Sequence, residues 1–221
     1  MSTATATVVA APSYEVQQHL KPKKLDGLSE KMMDQHWKLY EGYVTNTNLL
    51  NKAVWDAVDA GTDLNKPTIA ELQRRLGFEY NGMVLHEYYF GALCAGTKEP
   101  SASTALAETI ADNFGSMERW KKQFSDIGKM RGIGWVITSL DPLTKRLNTF
   151  WVSDHEIGQI AGFIPVFVMD MWEHAYVTDY GATGAGRAEY LQAYFKNLDW
   201  ETSAQRLASA LQGKISSRAK K

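Results

Sequence analysis

The chain has 221 residues, with 24 Lys+Arg against 25 Asp+Glu for a formal net charge of -1, and it is 44% hydrophobic and 22% charged. This balance excludes long disorder, collagen and coiled coil, and the near-neutral charge excludes a protein that gathers nucleic acid or anionic membrane through a global basic field. The single cysteine, Cys94, excludes an internal disulfide and a thiolate zinc site; with no basic secretion leader and no apolar run of about 18 residues, a cytoplasmic, soluble protein is expected.

Residues 1–12 carry no period and read as an extended arm. Ser29, followed by Glu30, caps a long helix in which Met33, Trp37, Tyr40 and Val44 recur at spacings of three and four towards Trp55, ending near Ala60 and Gly61. Lys66-Pro67-Thr68 opens a second helix, with Thr68 and Glu71 as a capping box, Gly77 and Gly82 as points of interruption, and an apolar run from Phe78 to Cys94. Two more helices are expected over 103–114 and 116–130, the second opened by Ser116. After Gly132 the pattern turns β-branched and aromatic: Trp135 to Thr138 and Asn148 to Val152 form a hairpin around Asp141-Pro142, and Ile164 to Met169 is a strand buried on both faces. Helical period returns over 187–212 and gives way to a basic, frayed tail at 218–221. The fold class is therefore α+β. An arm with a helical hairpin is expected over 1–97, and an α/β domain over 98–221.

Histidines are few enough to weigh singly: His19, His36, His86, His155 and His174. His36 and His86 fall on the aromatic stripes of the two long helices, which an antiparallel pairing brings to one point in the core. A lone buried histidine needs only one hydrogen-bond partner, but two facing each other call for more. Asp170 and His174 stand four apart directly after the buried strand, a spacing that lets both side chains meet one ion, and an ionised aspartate at that depth is costly unless paired or metal-bound. Three imidazoles and one carboxylate make an N3O site suited to iron, manganese or zinc.

These residues resemble, in order from about Tyr14 to Trp200, the iron/manganese superoxide dismutase family. Asp170-Met171-Trp172-Glu173-His174-Ala175-Tyr176 is similar to the family's D-x-W-E-H-A-Y signature, and Leu28-Ser29-Glu30 leading to His36, Leu85-His86-Glu87-Tyr88-Tyr89-Phe90 and Gly132-Ile133-Gly134-Trp135 match further segments. The resemblance implies one iron or manganese ion per chain bound by His36, His86, Asp170 and His174 with one water or hydroxide. The reaction it implies takes two superoxide ions to O2 and H2O2. A helical-hairpin N-terminal domain and a C-terminal α/β domain with a three-stranded antiparallel sheet are implied too. Trp135, Trp172 and Phe90 resemble the aromatic shell. Glu173 is implied to reach the partner's His174 across a two-fold axis, in a homodimer or higher homo-oligomer, with neither nucleic acid nor membrane as partner.

The chain departs from the common pattern at the two positions where many members place a glutamine against the metal-bound solvent, which here are Gly82 and Arg131. By resemblance to some members, His155 is the expected substitute, with Gln159 and then Arg131 in reserve. A gateway tyrosine is expected at Tyr40 or Tyr43, Tyr40 ranking first because it stands four residues after His36 on one helical face. Arg187 is a guess for a cation at the substrate mouth. Two other readings stand beside the enzyme: a dismutase-like structural or interaction protein with little turnover, and a mononuclear metal hydrolase, which the lack of an obvious carboxylate base disfavours.

Overall fold

The computed structural model describes residues 10–215. The arm expected over 1–12 lies outside them up to residue 9, as does the basic tail at 218–221. From Pro12 the chain runs along the first long helix, held by side-chain amides that stand in for a strand partner. Asn51 Nδ2 donates to the Pro12 carbonyl (3.0 Å), and Asn48 both accepts from the Tyr14 N–H and donates to its carbonyl (2.8 Å each).

That helix, α1, spans Glu30–Asp59, and Ser29 caps it, its hydroxyl accepting from the Met32 N–H. The second, α2, spans Pro67–Gly91 without a break at Gly77 or Gly82. The capping box expected of Thr68 and Glu71 does not form. Pro67 occupies the first helical position, where its missing N–H costs nothing, so Thr68 already lies inside the helix and Lys66 is the uncapped boundary residue. His36 beside His86, Tyr43 beside Gly82 and Asn46 beside Glu79 give contacts that climb one helix as they descend the other, so the pair is antiparallel.

Helices α3 (Ala105–Phe114) and α4 (Met117–Gly128) follow, capped by Thr104 and Ser116, with Gly115 in the left-handed conformation between them. The sheet comprises β1 (Gly134–Leu140), β2 (Leu147–Ser153) and β3 (Ile164–Asp170), antiparallel throughout in the order β2-β1-β3. Central β1 is buried along its whole length, Thr138 and Ser139 included, while edge strand β2 is partly exposed. Gly134 sits at φ 151, and a Cβ there would meet the Val152 carbonyl, so the Gly132-Ile133-Gly134 entry lets β1 start flush against β2.

After β3 come a 3-10 turn at Glu173–Ala175, a one-turn helix α5 (Val177–Tyr180), α6 (Gly184–Asn197) and α7 (Trp200–Leu211). The helical period read over 187–212 is thus two helices. They break at Leu198, which turns extended and makes a bridge to Leu93 beside the end of α2, and Asp199 caps α7. One continuous apolar core joins the α1/α2 pair to the sheet. Among the described residues no helix is long and apolar enough to cross a membrane.

Candidate metal centre

Four elements deliver one side chain each to a single point in this core. His36 comes from the second turn of α1, His86 from the last turns of α2, Asp170 from the end of β3 and His174 from the 3-10 turn beyond it. Their ligand atoms all lie within 4.8 Å of one another. The Nε2 atoms of His36, His174 and His86 stand 2.9, 3.1 and 3.5 Å from one oxygen, Asp170 Oδ2. The other carboxylate oxygen accepts from the Trp172 N–H at 2.8 Å, which fixes the carboxyl plane.

The hydrogen bonds decide the tautomer at His86. Its Nδ1 lies 2.6 Å from the Gly82 carbonyl, which can only accept, so Nδ1 carries the proton and Nε2 presents a lone pair. That lone pair faces a carboxylate oxygen and has no hydrogen-bond partner. Two electron pairs opposed inside an apolar core repel unless a cation lies between them, so the residues present fit a metal ion, and three imidazole nitrogens with one carboxylate oxygen form a borderline donor set. Burial holds the His36 and His86 imidazoles below their usual range, keeping them in the neutral form that binds metal. Burial alone would raise the Asp170 carboxyl, but the imidazoles around it, His174 foremost, pull it well below the usual carboxylate range. Asp170 is 0% exposed and His174 20%, so His174 is the one member of the four that its own chain leaves partly open.

A second ring of aromatic groups encloses this cluster. Phe90 lies 4.9 Å from His36 between ring centroids, Trp135 lies 5.1 Å from His86, and Trp172 stacks 5.7 Å from His174. His155 is fully buried among them. Trp135 Nε1 can only donate, so His155 Nδ1 accepts its hydrogen (3.0 Å), the ring proton sits on Nε2, and Nε2 donates to the Tyr43 hydroxyl (2.8 Å). The phenol therefore keeps its own hydrogen for another acceptor. Burial pushes the Tyr43 hydroxyl well above the ordinary phenol range, so it stays protonated at neutral pH.

The sequence-predicted residues fall in different places. His36, His86, Asp170 and His174 meet. His155 is inside the shell, but its one ring hydrogen is spent on Tyr43, and the group that orients it is a donor, Trp135. Tyr40 is sealed in the core, accepting from the Gln17 N–H and donating to Glu87 Oε1, while Tyr43 carries the hydroxyl that meets the buried histidine. Gln159 is exposed and its amide donates to the His155 carbonyl, Arg131 is exposed, and Arg187 donates to the Gly128 and Gly132 carbonyls, bracing the turn from α4 into β1. Glu173 is exposed next to His174. Phe78, whose ring centroid lies 4.5 Å from that of His155, belongs to the site although the sequence reading does not single it out. Its position eight residues before His86, about two helical turns, is the available signal.

Gly82 lets Tyr43 take this place. A Cβ at residue 82 would stand 2.6 Å from the Tyr43 ring, which therefore lies flat across α2 where the larger side chain is missing. Gly82→Gln is expected to push Tyr43 off His155 and to destabilise the protein by about 1–3 kcal/mol through overpacking. Urea unfolding together with a crystal structure of the variant checks this, and an unmoved Tyr43 with unchanged stability contradicts it.

Comparison with known proteins bears on what this geometry serves. A family model for iron/manganese superoxide dismutases, C-terminal domain, matches residues 102–206. The superoxide dismutase [Fe] of Cupriavidus metallidurans is 37% identical over 194 residues, covering 86% of this chain and 94% of the relative. The superoxide dismutase [Fe] of Aquifex pyrophilus is 34% identical, covering 89% of this chain and 92% of its own. The superoxide dismutase [Mn] 2 of Haloferax volcanii is 30% identical, covering 84% and 89%.

Proposed function

The chain belongs to the iron/manganese superoxide dismutase family, and we propose that it converts two superoxide ions and two protons to O2 and H2O2 at one iron or manganese ion held by His36, His86, Asp170 and His174. The observation that carries this reading is the convergence of three imidazole Nε2 atoms on one oxygen of a fully buried aspartate, with the His86 lone pair lacking any partner. When bound, iron or manganese supplies a one-electron couple that accepts an electron from one superoxide and returns it to the next.

The chain's residues do the rest. The Asp170 carboxylate sets one negative charge against the cation, and the neutral imidazoles add none. Phe90, Trp135 and Trp172 keep bulk water away, which strengthens the electrostatics inside. Peroxide formation consumes protons, and the group placed to pass one inward is the Tyr43 hydroxyl. It accepts a hydrogen bond from His155 Nε2 and so keeps its own hydrogen at Oη for an acceptor in the site, and because Tyr43 is only half-buried, solvent can return the proton it gives up. Tyr43 is thus the gateway residue in this reading, and Tyr40 is a core tyrosine.

Chelation should abolish turnover, and either iron or manganese at about one ion per chain should restore it. Elemental analysis with a superoxide-loss assay checks this, and a metal-free chain of full activity would end the reading.

The assembly is a homodimer closed over the Glu173 turn. His174 is partly exposed and Glu173 stands beside it, itself exposed, so a two-fold partner would seal the open imidazole edge and give each glutamate the partner's His174 as donor. Glu173→Ala is expected to weaken the dimer at least about tenfold and to lower activity with it. Sedimentation at graded concentration is the measurement; unchanged association removes Glu173 from the interface.

A further inference from the structure

Arg75 and Glu79 stand four residues apart on α2, outside the residues assigned above. Glu79 is buried and Arg75 exposed, with side-chain exposures of 3% and 53%. The guanidinium Nε and Nη2 both reach Glu79 Oε1, at 2.7 and 2.6 Å, and Asn46 donates to the second carboxylate oxygen at 3.3 Å. The ion pair is therefore a fixed dipole whose negative end is inside the helix pair and whose positive end is in solvent. Its location is specific. The guanidinium carbon lies 4.0 Å over the Phe78 ring, and that ring contacts His155 (4.5 Å), Tyr43 (6.3 Å) and Trp172 (6.5 Å), the outer wall of the proposed centre. Its charge is felt there, lowering both the Tyr43 hydroxyl and the His155 imidazole against larger opposing or reinforcing effects of burial. Carboxylates are near as well: Asp154 acts on Tyr43, and Glu156 approaches α2 at Gly77.

We propose that Arg75, stacked on Phe78 and tied back by buried Glu79, is the residue that draws the superoxide anion to the Phe78–Trp172 side of the centre. The proposal rests on the dismutase reading for its substrate. It follows from the arrangement of charge: an anion arriving from solvent meets the exposed guanidinium first, and the carboxylate that balances it lies farther from that anion, behind the helix surface. Phe78 holds the cation at the wall while leaving its N–H groups free of the aromatic shell. Arg75 touches none of the reacting atoms, so its effect is on arrival.

The test compares wild type, Arg75→Gln, Arg75→Lys, Glu79→Gln and the double variant Arg75→Gln/Glu79→Gln, all as the full metal-loaded chain. The double variant guards against misfolding from an unpaired buried glutamate. At low ionic strength Arg75→Gln and the double variant are expected to lose about two- to fivefold in kcat/KM with kcat retained, and to lose most of the wild-type salt dependence. Arg75→Lys keeps most of the rate. Glu79→Gln, which unbalances the cation, raises kcat/KM by about twofold. A second readout needs no metal: iodide quenching of tryptophan fluorescence should fall in Arg75→Gln while quenching by neutral acrylamide stays the same. Unchanged kcat/KM and salt slope in the Arg75→Gln and double variants overturn the proposal, as does an equal change in iodide and acrylamide quenching, which marks a packing defect. If the wild type shows no turnover, the dismutase reading falls, and the iodide arm still decides whether Arg75 gathers anions at this wall.

Discussion

His86→Ala is expected to lower metal affinity by about 100-fold or more and to remove superoxide turnover in proportion to the lost occupancy. Structural zinc held by four ligands binds with about 10–16 kcal/mol, and on that scale one ligand carries about two to three powers of ten. His86 is the ligand of choice for the test because its lone pair is fixed by the Gly82 carbonyl and has no other partner. Stability falls with the metal: a chain saturated at about 1,000 times Kd gains about 4 kcal/mol over its metal-free form, and the variant forfeits that gain. Elemental analysis after dialysis, with thermal unfolding before and after added manganese, measures both effects. Full occupancy and full activity in the variant would refute the ligand assignment.

His155→Ala is expected to leave the metal bound, to lower turnover by about 10–100-fold, and to change how the protein responds to acid. Trp135 loses its acceptor and Tyr43 its donor, so the phenol is no longer held with its hydrogen free. The conservative variant His155→Gln separates positioning from titration, because an amide accepts from Trp135 and donates to Tyr43 without carrying a titratable proton. It should retain most of the turnover. The acid response follows from burial, which pushes the His155 imidazole from 6.5 down to about 4. Between those values the unfolded chain takes up a proton at this residue that the folded chain refuses, so the stability His155 contributes is present above about pH 6.5, falls as pH drops to about 4 and is lost below that. This one group accounts for roughly 3 kcal/mol of that fall, at about 1.4 kcal/mol per pH unit. Urea unfolding of the metal-free wild type and the Gln variant across this range is the measurement. A variant with the same steep acid loss as wild type would show that His155 is not its source.

The elements were largely legible in the chain because each carries a local reason. Ser29 and Ser116 cap helices, Pro67 opens one, and the alternation of helical with β-branched runs separates the hairpin from the sheet. The four candidate ligands were legible too, since His36 and His86 lie on core-facing stripes and Asp170 and His174 share one turn after a buried strand. Three things were decided only by the tertiary structure. The helical period chooses between Tyr40 and Tyr43 only loosely, because residues four and seven after His36 both lie near its face. What separates them is what each hydroxyl meets: Glu87 and the Gln17 amide for one, His155 for the other. The role of His155 depends on which hydrogen its ring retains, and that is set by Trp135, twenty residues away across β1 and β2. The part played by Gly82 depends on the axial register of α1 against α2, which lays the Tyr43 ring on a position that lacks a Cβ. Local sequence determines which residues can face inward, but a hydrogen-bond chain among buried groups is fixed by the distances between elements, and those arise only when the whole core has packed.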